Sequence, residues 1–215
     1  MKKNMLIIAA LIAMSSCNNK KAMPNSTTDI DSQPSDRQFT DSTLAVEFSS
    51  NDIDWKNKRM TCTVYSEDLY DSAWVNKLKV GDTLMYEGKP MRVKSIRNDR
   101  GTIEINGGVE QGGAWLTTIH GGAWPDKEKN GMYRAVTMDD HSVYTKQRQM
   151  TLPLSDQLTL IDCGNSPHDQ PDTFRTELQL HFESLPNYRQ SFSPINTRIT
   201  LDKGQVKVID RRWIP

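Results

Sequence analysis

The segment Thr83–Ile105 has the sequence TLMYEGKPMRVKSIRNDRGTIEI, in which apolar and polar residues alternate. Alternation with a period of two is typical of β-strands that bury one face. The two interruptions, EGK at 87–89 and NDRG at 98–101, contain the glycine and asparagine residues that hairpin connections favour. We therefore predict three consecutive antiparallel strands: Thr83–Tyr86, Met91–Ile96 and Thr102–Ile105.

Hairpin signals also occur outside this segment. The turn-forming residues 202–205 separate two alternating runs, Thr197–Leu201 and Val206–Ile209, and Asn130-Gly131 precedes a third, Met132–Thr137. Closely spaced short strands are typical of all-β domains. The predicted fold class is therefore mainly β, with antiparallel sheets in a small barrel or sandwich and one or two short helices. The succession of short strands and turns over residues 80–105 resembles that of an SH3-like barrel, and the resemblance is limited to this succession.

Two segments carry helix signals. In Glu67–Leu78 the apolar residues are spaced for one buried side and Ser66 is a suitable N-cap, which predicts a helix. Phe174–Phe182 alternates strictly, which predicts a strand. The alternative for that segment is a helix capped by Asp172, with an apolar face of Phe174, Leu178, Phe182 and Leu185. Leu180 favours the strand because on a helix it would point away from that face.

The first residues, MKKNMLIIAALIAMSSC, comprise a basic start, an apolar run over Met5–Met14 and small residues that end at Cys17. This pattern predicts a secretory signal, and the apolar run is shorter than the roughly 20 residues needed to span a bilayer. Residues 14–17, MSSC, resemble the lipobox of bacterial lipoproteins. The resemblance implies that residues 1–16 are removed and that acyl chains on Cys17 hold the protein to a membrane. An ordinary cleaved signal is the alternative.

A polar segment follows Cys17. Residues 17–43 contain few apolar side chains and two prolines, so we predict a disordered tether before a β-rich globular region over 44–215, with 44–150 and 151–215 as optional subdomains. Lipoproteins with aspartate directly after this cysteine tend to stay in the inner membrane, and surface-exposed Bacteroidota members often carry acidic residues there. Residues 18–21, NNKK, have neither feature, so the resemblance implies the outer membrane facing the periplasm. Asp41-Ser42-Thr43 resembles the O-glycosylation motif of Bacteroidota, which would make Ser42 an acceptor; an unmodified polar serine is the alternative.

Charge and cysteine usage narrow the function classes. The chain has 27 basic and 27 acidic residues, and a balanced chain lacks the basic surface that nucleic-acid binding requires. If Cys17 is acylated, Cys62 and Cys163 form an even pair in an oxidising compartment. We therefore predict a disulfide between them, with two buried thiols as the alternative.

The sequence has no Walker, Rossmann, HExxH or CxxC motif, and it indicates no cofactor. The segment GNSPH at 164–168 lacks the last glycine of a nucleophile elbow. The sequence offers one candidate metal site. If Asp139 and His141 lie on a strand they share a face, and with His120 they would supply two imidazoles and a carboxylate to a metal. The alternative is that residues 139–141 form a solvated turn.

The motif GGAW occurs twice, at 112–115 and 121–124, and another glycine pair lies at 107–108. We predict a strand over Ala114–His120, with glycine bends that let a planar group approach near Trp115 and Trp124. The leading hypothesis is a non-catalytic, lipid-anchored cell-envelope protein that binds a protein or glycan at this region. A metal-dependent envelope hydrolase and a structural subunit of a membrane assembly are the alternatives.

Overall fold

The computed structural model describes residues 41–119, 131–163, 171–185 and 191–213. This part of the chain is mainly β, as predicted. The strands are β1 (Ser42–Ser49), β2 (Ile53–Asp54), β3 (Arg59–Glu67), β4 (Leu69–Tyr70), β5 (Thr83–Tyr86), β6 (Lys89–Arg92), β7 (Ile96–Asp99), β8 (Thr102–Ile105), β9 (Ala114–Thr118), β10 (Tyr133–Val136), β11 (Tyr144–Asp162), β12 (Asp172–Phe174), β13 (Ser191–Phe192), β14 (Thr197–Asp202) and β15 (Gln205–Arg211). The α-helices are α1 (Ser72–Val75) and α2 (Leu178–Ser184), and short 3-10 helices cover Ser50–Asp52 and Val109–Gln111.

Five strands close into a barrel. The pairing runs β11-β15-β14-β1-β3, and β3 pairs in turn with β11. The 19-residue strand β11 makes this closure because its first half pairs antiparallel with β3 and its second half pairs parallel with β15. The predicted hairpin at 202–205 joins β14 to β15. Residue 150, where the optional subdomain boundary was placed, lies inside β11.

The barrel interior is apolar because the strands alternate inward and outward residues. Buried side chains from all five strands form one core, which contains Val46, Met60, Cys62, Val64, Leu152, Leu154, Leu160, Ile199, Leu201, Val206 and Ile209. Aromatic rings belong to the same core: Phe48 stacks on Phe192 at 4.4 Å between ring centroids, and Phe182 lies 5.4 Å from Phe192.

The predicted strand over Phe174–Phe182 is wrong. The chain is extended only over β12 and then forms α2. The residues named in the alternative interpretation meet on one core, but from three places: Phe174 comes from β12, Leu178 and Phe182 from α2, and Leu185 from its C-cap. Leu180 points to solvent and is 62% exposed. A strand would bury Phe182 as well, so the gain of the helix is the burial of Leu185, which contributes about 1.5–3 kcal/mol and offsets leaving Leu180 in water.

Residues between β3 and β11 form a second sheet with its own core. The strand order is β4-β10-β9-β8-β7, and β5 and β6 form a separate hairpin. This sheet and hairpin enclose Val75, Leu84, Val93, Ile103, Ile105, Ala114, Leu116, Ala135 and Val143. The predictions of Thr83–Tyr86, Thr102–Ile105 and the strand beginning at Ala114 are confirmed, and β10 lies within the predicted strand Met132–Thr137.

The predicted helix over Glu67–Leu78 is wrong for most of its length. Strand β3 continues to Glu67, β4 follows, and α1 covers only Ser72–Val75. Its cap is Asp71, whose Oδ1 accepts from the Trp74 backbone N at 3.0 Å. Tyr70 contributes to the sheet by pairing with Tyr133. Pairing with β10 satisfies this backbone better than a helix start would.

The predicted strand Met91–Ile96 is divided into the end of β6 and the start of β7. Between them, Asn106 Oδ1 accepts hydrogen bonds from the backbone N of Lys94 at 2.7 Å and of Ser95 at 3.2 Å. Val93 instead exchanges backbone hydrogen bonds with Gly81 and Asp82. The chain therefore changes partners here, from the β5–β6 hairpin to the five-stranded sheet.

The predicted Cys62–Cys163 disulfide is absent, and both cysteines are free. Cys62 pairs with Met150 across β3 and β11, whereas Cys163 follows the end of β11. The stretch of β11 between these points is roughly 40 Å long, and a disulfide needs Cα atoms within about 7 Å. Burial raises the pKa of the Cys62 thiol to about 12. Arg212 Nη1 donates to Cys163 Sγ at 3.6 Å.

Ser42 and Thr43 belong to β1, so the predicted tether is too long at its C-terminal end. The Ser42 hydroxyl oxygen is shielded from solvent and has no hydrogen-bond partner within the described ranges. This placement is unsuited to a glycan acceptor, since a transferase must reach that oxygen. Cys17 and the rest of the predicted signal and tether up to residue 40 lie outside the described residues.

Asp68 holds the β5–β6 turn against β11. Its Oδ2 accepts from the Glu87 backbone N at 2.7 Å, and its Oδ1 accepts from Thr145 Oγ1 at 2.5 Å. Desolvation by burial raises the pKa of this carboxyl, although both hydrogen bonds act in the opposite direction. The carboxyl thus binds its proton more tightly in the folded chain than in the unfolded chain.

This raised pKa predicts a pH dependence. Compared with Asp68→Asn, the wild-type chain should gain stability as the pH falls from 7 towards 4, because the folded state then binds more protons than the unfolded state. The measurement is the difference in unfolding free energy between the two proteins at each pH. Both proteins also contain exposed carboxyls with lowered pKa values, such as Asp54, Asp156 and Asp202. Their contribution to the pH dependence of stability is the same in both proteins and cancels in the difference. A difference that instead favours wild type as the pH rises would contradict this assignment.

Candidate binding groove beside Trp115

The glycine-rich segment before β9 is shaped around the indole of Trp115. Gly108 has φ 72 and ψ −175, a conformation that is essentially restricted to glycine. A Cβ atom at Gly108 would lie 2.7 Å from Trp115 Cδ1 and 2.8 Å from Cε2. At Gly113, a Cβ atom would meet the carbonyl oxygens of Ile105 and Asn106. Gly108 therefore admits the chain's own tryptophan, which is partly exposed, whereas Gly113 admits neighbouring backbone.

Replacing Gly108 with alanine should lower the free energy of unfolding by about 2–3 kcal/mol, since the backbone strain alone costs about 1–3 kcal/mol and the indole must also move. Gly112→Ala is the matched control: its φ is 77, but a Cβ atom there meets nothing within 4 Å, so only about 1–2 kcal/mol is expected. Urea unfolding gives both values, and the total tryptophan emission of the folded chain should change only in Gly108→Ala, where the indole of Trp115 must move. Equal losses and unchanged emission would contradict the packing argument.

A groove of about 490 Å³ lies beside this packed indole. It extends between the β7–β8 hairpin and the segment 107–112. Its lining is mixed in charge and rich in amides and glycine backbone, and consists of Lys94, Ser95, Ile96, Arg97, Glu104, Asn106, Gly107, Gln111 and Gly112. Arg97 pairs with Glu104 across the two strands, with 4.0 Å between Arg97 Nε and Glu104 Oε2.

Asn106 builds one end of the groove and was not predicted from the sequence. It has φ 53, its Oδ1 accepts from two backbone N atoms, and its Nδ2 donates to the Arg92 carbonyl at 2.9 Å. Its amide is thus committed to the scaffold, which leaves ligand contacts to the other polar groups. The available signal was its position directly before Gly107-Gly108, because asparagine tolerates the left-handed region.

Asp139 and His141 lie in a turn, which confirms that alternative for residues 139–141. The Thr137 backbone N donates to the His141 carbonyl at 2.8 Å, and the Asp140 N donates to the Thr137 carbonyl at 3.1 Å. Asp140 has φ 58 and pairs with Arg134 at 3.3 Å, so the strand on which the metal hypothesis depended is not formed. Within the ranges described, no group of three His, Cys, Asp or Glu side chains could hold a metal ion. His120 and Trp124 lie outside those ranges.

A buried ionic cluster at one end of the barrel was not predicted. Both oxygens of Asp162 accept from Arg211, at 3.0 Å from Nε and 2.7 Å from Nη2. His181 Nε2 lies 3.4 Å from Asp162 Oδ2, and the imidazole stacks on Phe174 at 3.9 Å. The side chains of Asp162 and Arg211 are only 6% and 5% exposed. Since both carboxylate oxygens are engaged, this cluster fastens β11, β15 and α2 together.

The chain matches no protein-family model, no curated protein sequence and no solved structure. In the part of the chain that the structure describes, none of the helices has the length and apolar character to cross a membrane.

Proposed function

We propose that this chain is a lipid-anchored cell-envelope protein that binds a glycan, without chemical conversion, in the groove between the β7–β8 hairpin and the segment 107–112. The observation that carries the proposal is the groove itself, because its lining combines charged, amide and backbone groups and includes Gly107 and Gly112 from two of the glycine pairs. The anchor rests on the lipobox resemblance at Cys17.

The lining chemistry suits a polyhydroxylated ligand. Sugar hydroxyls both donate and accept hydrogen bonds; Arg97 offers donors, Glu104 offers acceptors and the Gln111 amide offers both. Hydrogen bonds to charged groups are about twice as strong as neutral ones. A volume of about 490 Å³ is within the range of small-ligand sites. Trp115 is not among the lining residues; it packs on Gly108 and thereby supports the loop that forms one wall.

A glycan array probed with the purified chain tests the binding proposal. We expect selective binding to one class of glycan and an affinity at least about tenfold weaker in Glu104→Gln, because a charge-assisted hydrogen bond contributes about 1.5–3 kcal/mol. Asp156→Asn is the matched control: Asp156 is also a surface carboxylate, pairs with Lys58 and does not line the groove. No glycan binding, or equal binding by both variants, would overturn the proposal.

The anchor is tested separately. Labelled palmitate should be incorporated into the wild-type chain in bacterial cells and should be absent from Cys17→Ala. Cys163→Ala serves as the control for labelling at another accessible thiol. Incorporation that persists in Cys17→Ala would exclude lipidation at this residue.

A further inference from the structure

Among the residues that the structure describes, β7 is an edge strand of the five-stranded sheet, because the strand order ends at β7. Its inner edge pairs with β8, and the two-residue connection Arg100-Gly101 has φ values of 51 and 90. In a hairpin with a two-residue connection, the two residues that flank the connection, here Asp99 and Thr102, exchange backbone hydrogen bonds. Every second cross-strand pair after them is also hydrogen-bonded, and the pairs in between are not. The hydrogen bond from the Asn106 N to the Ser95 carbonyl agrees with this alternation. The backbone N–H and C=O of Asn98 therefore point towards the outer edge.

The side chains of β7 are complementary to those of a second β7. Arg97 and Asp99 lie on the same face, with Arg97 Nη2 3.0 Å from Asp99 Oδ2, and both side chains are more than half exposed. Suppose that a second copy pairs antiparallel with Asn98 on a two-fold axis. Each Arg97 then faces the Asp99 of the other copy, and the two Asn98 backbones exchange hydrogen bonds through their outward groups. The charge pattern and the direction of the outward backbone groups are therefore both satisfied by antiparallel pairing centred on Asn98.

We infer that β7 is a self-association edge through which two copies of this chain pair across a two-fold axis. Charges on edge strands usually prevent pairing, and here they select the register. An axis through Arg97 would place two arginines opposite each other, an axis through Asp99 would place two aspartates opposite each other, and like charges directly opposite are unfavourable. The inference requires neither the proposed ligand nor the anchor, but Arg97 also lines the groove, so the two surfaces share this residue.

Charge reversal tests this inference without any ligand. Sedimentation equilibrium of the purified full-length chain in density-matched detergent should show a monomer–dimer equilibrium at concentrations up to about 1 mM, because so short a ladder makes a weak interface. Arg97→Asp alone and Asp99→Arg alone should each dimerise at least about tenfold more weakly, since two opposed charge pairs become repulsive. An equimolar mixture of the two variants should associate again, because each copy then carries the charges that complement the other.

The mixture also controls for folding, since a misfolded variant would not associate with its complement. A second variant, Asn98→Pro, removes the outward backbone donor, and proline is tolerated at such edge positions; it should also be monomeric. A wild-type chain that stays monomeric at about 1 mM would overturn the inference. So would single variants that dimerise as strongly as wild type, or a mixture that associates no more than its components.

Discussion

Arg211→Met is expected to lower the free energy of unfolding by about 3–5 kcal/mol, because it leaves the buried carboxylate of Asp162 without its main counter-charge. Arg211 holds Asp162 through two hydrogen bonds, and its guanidinium lies 5.0 Å over the Phe192 ring. Methionine preserves most of the side-chain volume, so the loss reports mainly on the charge. Denaturant unfolding followed by circular dichroism measures it.

Two companion variants make this result specific. Asp162→Asn combined with Arg211→Met should lose markedly less than Arg211→Met alone, since the buried charge is then removed together with its partner. Lys207→Met is the surface control: Lys207 pairs with Asp202 at 2.7 Å, but both side chains are more than 40% exposed, and exposed ion pairs contribute little to stability. A loss in Arg211→Met no larger than this control would show that the cluster does not hold the barrel end.

Phe182→Ala should lower the free energy of unfolding by about 3–5 kcal/mol, the usual cost of deleting a buried aromatic ring. The Phe182 ring is 1% exposed and contacts Trp55 and Phe192, with ring centroids 5.5 and 5.4 Å away. Thermal or urea unfolding measures the change. The expected loss reflects both lost burial and the cavity left between α2 and the barrel.

Leu180→Ala is the matched control on the same helix and should change stability by less than about 0.5 kcal/mol, as exposed substitutions usually do. The pair also distinguishes the two conformations considered for this segment. On a strand, residues 180 and 182 share a face, so both substitutions would be costly or neither would; on α2 they lie on opposite sides. Similar losses in the two variants would contradict the helix.

Local patterns predicted strands well where a turn fixed their ends. Thr83–Tyr86 and Thr102–Ile105 were predicted to the residue because each adjoins a turn that contains a glycine with positive φ, Gly88 or Gly101. The same rule located the β14–β15 hairpin around Lys203-Gly204. It did not predict β11, because Pro153 and several polar residues interrupt the alternation of this strand, which pairs with both β3 and β15. Whether a long strand bends and changes partner depends on neighbours far away in sequence.

Among the candidate site residues too, only those with a local sequence signal could be predicted. The glycine pairs near Trp115 were recognised as places of close approach, since glycine at such positions has a local conformational cause. Their neighbour in space was not predictable, so an external planar ligand was expected where the structure has the chain's own indole. The cluster of Asp162, His181 and Arg211 has no local signal at all, because these residues are far apart in the chain and meet only when β11, β15 and α2 pack.

The sequence by itself determined the β class, most hairpin turns and the region where glycines admit a ring, because alternation and turn chemistry act over a few neighbouring residues. Only the tertiary structure decided that five strands close into a barrel, that α2 is a helix, that Cys62 and Cys163 stay apart, and that Arg97 and Glu104 line a groove. These outcomes depend on which buried surfaces meet. Burial of a whole face contributes more free energy than local propensity, so it overrides local patterns wherever the two disagree.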